Sequence, residues 1–271
     1  MNIPVIPLVV LVVFSLGPRL ILSDVDGPNT TVTPSVQNAI VDGGEELVYE
    51  VSWTFFKLGT VRLRTFPNYT ATAYVDSYEG LPFVDLHAIH ETVMDSSFFS
   101  RGSRSIEKKG DSWWGLNYVY DLPDKRLVVE ETYQKEVQSP PYKRQVQDTL
   151  LLPSSSFLDG LSIGYYPRLM LRSGKTVDVP TVLYGKVGIS TFHFSESKTS
   201  EMIEALEEPI RVIEVDGRTT VEGIFGMTGD FKGWFTDDSA RVPIKGKLQV
   251  LIGNVTLELI QWKRARWSPP H

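Results

Sequence analysis

Residues 242–259 read Val242-Pro243-Ile244-Lys245-Gly246-Lys247-Leu248-Gln249-Val250-Leu251-Ile252-Gly253-Asn254-Val255-Thr256-Leu257-Glu258-Leu259. Val242, Ile244, Leu248, Val250 and Ile252 share one parity, and Lys245, Lys247 and Gln249 the other. A period of two belongs to a strand whose two faces meet different surroundings. After Gly253-Asn254 the parity flips, so that Val255, Leu257 and Leu259 become the apolar set. A Gly-Asn pair produces that flip either as a two-residue hairpin turn or as a bulge.

The same period runs outward through the chain. Leu47, Tyr49, Val51, Trp53 and Phe55 alternate with Val48, Glu50, Ser52 and Thr54, and beyond Gly59 the pairs Val61/Leu63 and Arg62/Arg64 repeat the pattern. This predicts one long bent strand or a hairpin. Further strands are expected at Thr70–Tyr78, Asp85–Val93, Trp113–Tyr120, Leu127–Glu136, Thr181–Phe194, Ile210–Val215 and Thr219–Phe225. Turn chemistry separates them at Pro123-Asp124, Asp216-Gly217 and Thr228-Gly229-Asp230. Helical signals are confined to Ser154–Gly164, which opens on serines suited to an N-cap, and to Glu201–Glu208. Many short strands with few helices predict a mainly β fold, a large antiparallel barrel or curved sandwich with one or two short helices, rather than a βαβ architecture.

Domain organisation follows from composition. Ile3 to Leu16 is apolar apart from Pro4, Pro7 and Ser15, too short for the roughly 20 residues of a membrane-spanning helix. Residues 1–23 are therefore expected to be a secretory signal peptide or an N-terminal anchor, although no basic side chain precedes the tract. Asp24–Asp42, rich in Asp, Asn, Thr, Pro and Ser, reads as a flexible tether. Residues 43–271, about 230 in all, suffice for a single antiparallel β domain with its own core. The 271-residue chain has no cysteine, which rules out disulfides, thiolate metal sites and a cysteine nucleophile. Its formal net charge of −6 argues against nucleic acid as a partner.

Few residues suggest chemistry. Asp237-Asp238 invites a paired-carboxylate reading, but neighbouring strand residues face opposite ways, and a turn accounts for both. Asp85, His87 and Glu91 share a strand face while His90 points away, so no metal site can be completed there unless His193 lies alongside. Ser154-Ser155-Ser156 has no nucleophile-elbow context, and no phosphate-binding glycine loop occurs. No cofactor or metal is expected. Trp113, Trp114, Tyr118 and Tyr120 form the densest aromatic cluster and are the candidate ligand-binding residues, with burial in the core as the alternative.

Three pieces of the sequence carry a resemblance. They are Gly44 to Tyr49 with Trp53 and Gly59; Asp159, Leu161 and Ser162 with Tyr165 and Arg168; and Gly223 and Phe225 through Trp234, Asp237 and Asp238 to Arg241, Pro243 and Gly253. In order and spacing they resemble the domain of unknown function 3108 family of exported bacterial proteins, with Pro167 a departure inside the second piece. The resemblance implies an antiparallel β fold in the bacterial envelope, at the periplasm or the periplasmic face of a membrane. It supplies no catalytic residue. The expected function is a non-catalytic module that binds or carries an apolar or amphipathic ligand, or a partner protein. A hydrolase of an envelope polymer using some of Asp85, His87, Glu91, Asp237 and Asp238, and a structural or assembly factor, are the alternatives. No integral helical membrane segment is expected beyond a possible N-terminal anchor.

Overall fold

The computed structural model describes residues 34–82, 84–121, 123–221, 229–250 and 253–270. Helix α1 (Pro34–Val41) precedes eight strands: β1 (Glu45–Trp53), β2 (Phe56–Thr65), β3 (Thr70–Ser77), β4 (His87–Met94), β5 (Ser100–Lys109), β6 (Ser112–Asp121), β7 (Arg126–Gln134) and β8 (Lys143–Leu151). Helix α2 (Ser162–Met170) follows, then β9 (Thr176–Leu183), β10 (Lys186–Glu201), β11 (Ile210–Thr219), β12 (Gly229–Thr236), β13 (Pro243–Gln249) and β14 (Asn254–Arg264). All fourteen described strands form one sheet in the order β8-β7-β6-β5-β4-β3-β2-β1-β14-β13-β12-β11-β10-β9. Every pairing is a sequential meander except β1 with β14, which runs antiparallel from Glu45↔Arg264 to Trp53↔Val255. The mainly antiparallel β class predicted from the alternation is therefore the class observed. Among the described residues no helix is long and apolar enough to cross a membrane.

The sheet curls around α2. Arg168 of this helix meets Glu45 of β1, Tyr165 meets Thr65 of β2, and the Tyr166 ring lies 5.7 Å from that of Phe192 on β10. Laid flat, β2 and β10 would stand six strand spacings apart, roughly 29 Å at about 4.8 Å each. One helix, about 10 Å across, can touch both only if the sheet bends round it. The turn is completed through the segment before α2. The Phe157 carbonyl accepts the Ser100 amide at the start of β5 (2.9 Å), and Leu158 exchanges bonds with Pro180 and Val182 of β9 (2.8 Å each). The strands beyond β5 continue over this junction, where Leu116, Leu127 and Val129 pack with Leu152, Phe157 and Val182.

Several boundaries differ from the sequence reading, each for a local reason. Thr181–Phe194 is not one strand but the β9–β10 hairpin, turning on Tyr184 and Gly185, both at positive φ (49° and 72°). Conversely, Asp216-Gly217 is no turn but the middle of β11. A Cβ at Gly217 would meet the Phe231 ring and the Thr191 carbonyl, so glycine is there for close packing. Strands β5 and β8 escape an alternation search, because β5 carries serines inward and every β8 residue but Leu150 is exposed. Glu201–Glu208 is not helical; β10 runs to Glu201 and a loop follows. Gly253 (φ 81°) sits between β13 and β14, but Asn254 is already the first residue of β14 and pairs with Gln249. The Gly-Asn pair is therefore not a two-residue turn; the hairpin closes between Gln249, where β13 ends, and Asn254. Residues 1–33, the end of the expected Thr219–Phe225 strand (Gly223 and Phe225 included) and Ile252 lie outside the described residues.

The tether expected over residues 24–42 is corrected where it is described. Residues 34–41 are helical, with Ile40 and Val41 buried and the Ala39 and Ile40 carbonyls accepting from Arg264. A helix over Ser154–Gly164 gives way to α2 at Ser162–Met170, which runs through Pro167. Asp159 opens it, its Oδ1 accepting the Leu161 (3.0 Å) and Ser162 (2.8 Å) amides. Pro167 removes a hydrogen bond to the Ile163 carbonyl. Burial of Tyr165, Tyr166, Arg168, Leu169 and Met170 compensates for it.

Candidate functional site

Curling leaves an unfilled volume of about 400 Å³ beside α2. One wall comes from β2 to β6 and includes Val61, Ala73, Val75, His90, Ser105 and Tyr118. The facing wall comes from β9 to β14 and includes Val182, Phe192, Val215, Phe231, Leu248 and Leu257. Asp159, Leu161, Ile163 and Pro167 supply the helix side. Val61, Val75, Leu161, Ile163, Leu248 and Leu257 all line the space and are only half-buried; Leu161, Ile163, Val61 and Leu257 also pack against the flanking core clusters. The size falls in the roughly 300–1,000 Å³ range typical of small-molecule sites, and so does the lining, predominantly apolar with a few polar groups.

Those polar groups cluster on the β4–β6 side. His90 and Ser105 are direct cross-strand partners, next to Thr92 and Ser103 on the same inward face. Asp159 is buried, and its Oδ2 accepts the hydroxyls of Thr92 (2.5 Å) and Ser100 (2.6 Å) while Oδ1 takes the two amides of α2. All four of its acceptor positions are thus occupied. Ser103 is paired with the Tyr120 hydroxyl at 2.6 Å. Among the described residues, His90 and Ser105 enter no side-chain hydrogen bond. Burial lowers the His90 pKa below the usual imidazole value, against the opposing pull of Asp159, so the ring is neutral at pH 7. Burial also pushes the Tyr118 hydroxyl up to about 12.

The predicted aromatic cluster divides. Tyr118 lines the cavity, and Tyr120 sits deeper, edge-on to Phe157 at 5.0 Å. Trp114 is engaged at the end of β6, its indole N–H bonded to Glu131 and its ring 4.0 Å from the Lys109 ammonium. Trp113, half-buried on the alternate face, does not border the cavity. The carboxylates considered for hydrolysis do not converge. Asp237 pairs with Arg172 and with Lys198 (2.9 Å). Asp238 instead caps its turn, accepting from Thr236, the Arg241 amide and Trp267 at 2.7–2.8 Å. His87 lies outside, 2.8 Å from Asp76 and 3.5 Å from Asp85. His193 is on β10, whose neighbours are β9 and β11, and contacts Thr176. Among the described residues no group of three His, Asp or Glu side chains is placed to hold a metal ion. The residue the sequence reading set aside, His90, is the one facing inward, and its parity with Ala88, Thr92 and Met94 was the available signal.

The remaining motif residues build the frame of the site. Arg168 forks onto Glu45, which also receives Arg264 (2.6 Å) and the Thr65 hydroxyl (3.3 Å), all in the interior. Arg241, at φ 49°, reaches the carbonyls of Arg168 (2.7 Å) and Leu169 (3.0 Å) at the end of α2. Tyr49 donates to the Pro243 carbonyl at 2.8 Å, and Trp234 is buried beside it in the same cluster. Gly44 (φ 70°) turns the chain into β1, where a Cβ would press on the Thr65 carbonyl at 2.8 Å. Gly59 permits β2 to approach the Asp76 carbonyl of β3 closely. Trp53 ends β1 with its ring 6.3 Å from Phe56 and within 3.4 Å of where a side chain at Gly253 would begin. Leu161 borders the cavity, and Ser162 accepts the Asp159 amide at 2.7 Å.

The fold is shared with a solved structure. It resembles the crystal structure of a β-barrel-like protein of the domain of unknown function DUF1849 from Brucella abortus, with a TM-score of 0.52 and 10% sequence identity. The match covers 81% of this chain and 97% of that one. At that identity the likeness concerns the fold alone. No curated protein sequence matches. Residues 48–260 match the family described as Protein of unknown function (DUF3108), and that span takes in the strands of the curled sheet and the helix at its centre: the chain belongs to the DUF3108 family.

Proposed function

We propose that this protein is a non-catalytic carrier or binding module that holds an apolar or amphipathic ligand inside its curled sheet. The observation that carries the reading is the unfilled space of about 400 Å³ with its half-buried aliphatic lining. Leaving such surface unpacked forfeits contacts that a ligand can restore. The scattered pairing of Asp237, Asp238, Asp85 and His87 gives no support to the hydrolase alternative.

The full chain should therefore bind the neutral apolar dye N-phenyl-1-naphthylamine with a rise in fluorescence. Val75→Trp, which projects an indole into the space, should weaken that binding at least about tenfold, the equivalent of 1.4 kcal/mol, without lowering the melting temperature. Dye binding that is absent, or that survives Val75→Trp unchanged, would exclude the cavity as the site.

We further propose that the protein works outside the cytoplasm, the apolar tract at Ile3–Leu16 serving as a secretory signal. Expressed in a Gram-negative host, the periplasmic product should lack roughly its first 20 residues by intact mass. A cytosolic product that keeps residues 1–23 would remove the envelope from the proposal and leave the cavity untouched.

A further inference from the structure

We infer that the cavity selects an uncharged amphiphile, an acyl or alkyl chain ending in a hydroxyl or ester group, whose polar end is read by His90 and Ser105. The inference rests on the binding reading above and names its ligand class. Three observations carry it. First, the walls differ: the β10–β14 side offers aromatic and aliphatic groups and Thr219, whose hydroxyl oxygen already accepts from Ser190 and the Val221 amide, whereas the β4–β6 side places His90 opposite Ser105 across one strand pair. Second, among the described residues these two side chains border the space without a side-chain hydrogen-bond partner, and together they present donors and acceptors of both kinds. Third, among the described residues no cation points into the cavity: Arg168 and Arg264 are buried but committed to Glu45 and do not border it. The two basic residues bordering the cavity belong to the alternate parity of their strands. Arg104 bonds Gln134 at 3.0 Å, and Lys232 bonds Glu214 at 2.8 Å on the outer face.

A carboxylate or phosphate headgroup would thus be stripped of water with no countercharge to receive it. An ammonium fares no better at Asp159, whose four acceptor positions are filled by α2 amides and by Thr92 and Ser100. The other carboxylate at the cavity border, Glu91, is exposed on the parity opposite His90, 4.0 Å from Arg104. A hydroxyl or ester loses less on desolvation and finds a neutral imidazole and a serine hydroxyl within one strand pair.

Competition against the bound dye at pH 8 tests this with three single-chain probes: monodecanoylglycerol, decanoate and decyltrimethylammonium. The glyceride should displace the dye at a concentration at least about tenfold lower than either ion. In the doubly substituted His90→Leu, Ser105→Ala protein, dye affinity should persist while the glyceride loses its advantage. Should that protein fail to fold, Ser105→Ala alone should reduce the advantage several-fold. Equal or stronger competition by decanoate or by the ammonium probe overturns the inference, as does an advantage unchanged in every folded variant. Failure of the underlying reading looks different, because there the dye itself does not bind or ignores Val75→Trp.

Discussion

Glu45→Leu should destabilise the fold by about 3–5 kcal/mol, read as a fall in the denaturant midpoint at unchanged slope. Glu45 is completely enclosed, and its partners Arg168 and Arg264 keep only 1% and 6% of their side chains exposed. Removing the carboxylate leaves two guanidinium groups facing each other without water or countercharge, a far larger penalty than the net worth of the pairs themselves. The loss should propagate to both helices. Arg168 also holds the Ala240 carbonyl at 2.8 Å, and Arg264 holds the end of α1 through the Ile40 carbonyl at 3.0 Å. Glu46→Ala is the control, one residue along and on the opposite face. It breaks the Glu46–Arg64 bond of 2.6 Å on the solvent side and should cost under about 1 kcal/mol. Equal effects at 45 and 46 would mean that α2 is not anchored by charge. Replacing Glu45, Arg168 and Arg264 together by apolar residues should recover much of the loss, since desolvation is then relieved along with attraction.

Ile244→Asp is expected to abolish folding or cost several kcal/mol, comparable with the whole stability of a domain. Ile244 and Leu259 are fully buried in one cluster with Leu47, so a carboxylate at either has no partner and no water. Lys247→Asp and Gln249→Asp, exposed on the same strand, should stay within about 0.5 kcal/mol. Leu248 separates the two kinds of burial. It shares the inward parity of Ile244 yet borders the cavity and is half-buried. Leu248→Asp should therefore cost less stability than Ile244→Asp while eliminating dye binding. Chemical denaturation and dye titration on the same variants distinguish the two. If Leu248→Asp unfolds the protein as completely as Ile244→Asp, position 248 belongs to packed core and the cavity is smaller than described.

How much of this was legible beforehand depends on the range of the interaction. The alternation around Val242–Leu259 anticipated β13 and β14 and which of their faces is buried, because residue parity relative to the sheet is a local property, although β13 ends at Gln249 and the turn is not the Gly-Asn pair. Gly217 misled for the opposite reason. Its glycine serves the Phe231 ring of the neighbouring strand, and a local reading assigns glycine in polar company to a turn. Strand β5 was missed because its inward serines face hydroxyl partners and the cavity rather than packed core.

The sequence by itself determined that the chain is a succession of antiparallel strands with few and short helices, and that no cysteine enters its chemistry. The tertiary structure alone decided that β1 pairs with β14, that the sheet bends round α2, and that the bend stops short of filling its interior. Glu45, Arg168 and Arg264 meet across separations of 123 and 219 residues, and no periodicity encodes which buried charge will find which. Nor can alternation distinguish an apolar side chain packed in a core from one lining a cavity. Both are excluded from water on the same parity of the same strand, and the difference is whether another part of the chain arrives to fill the space.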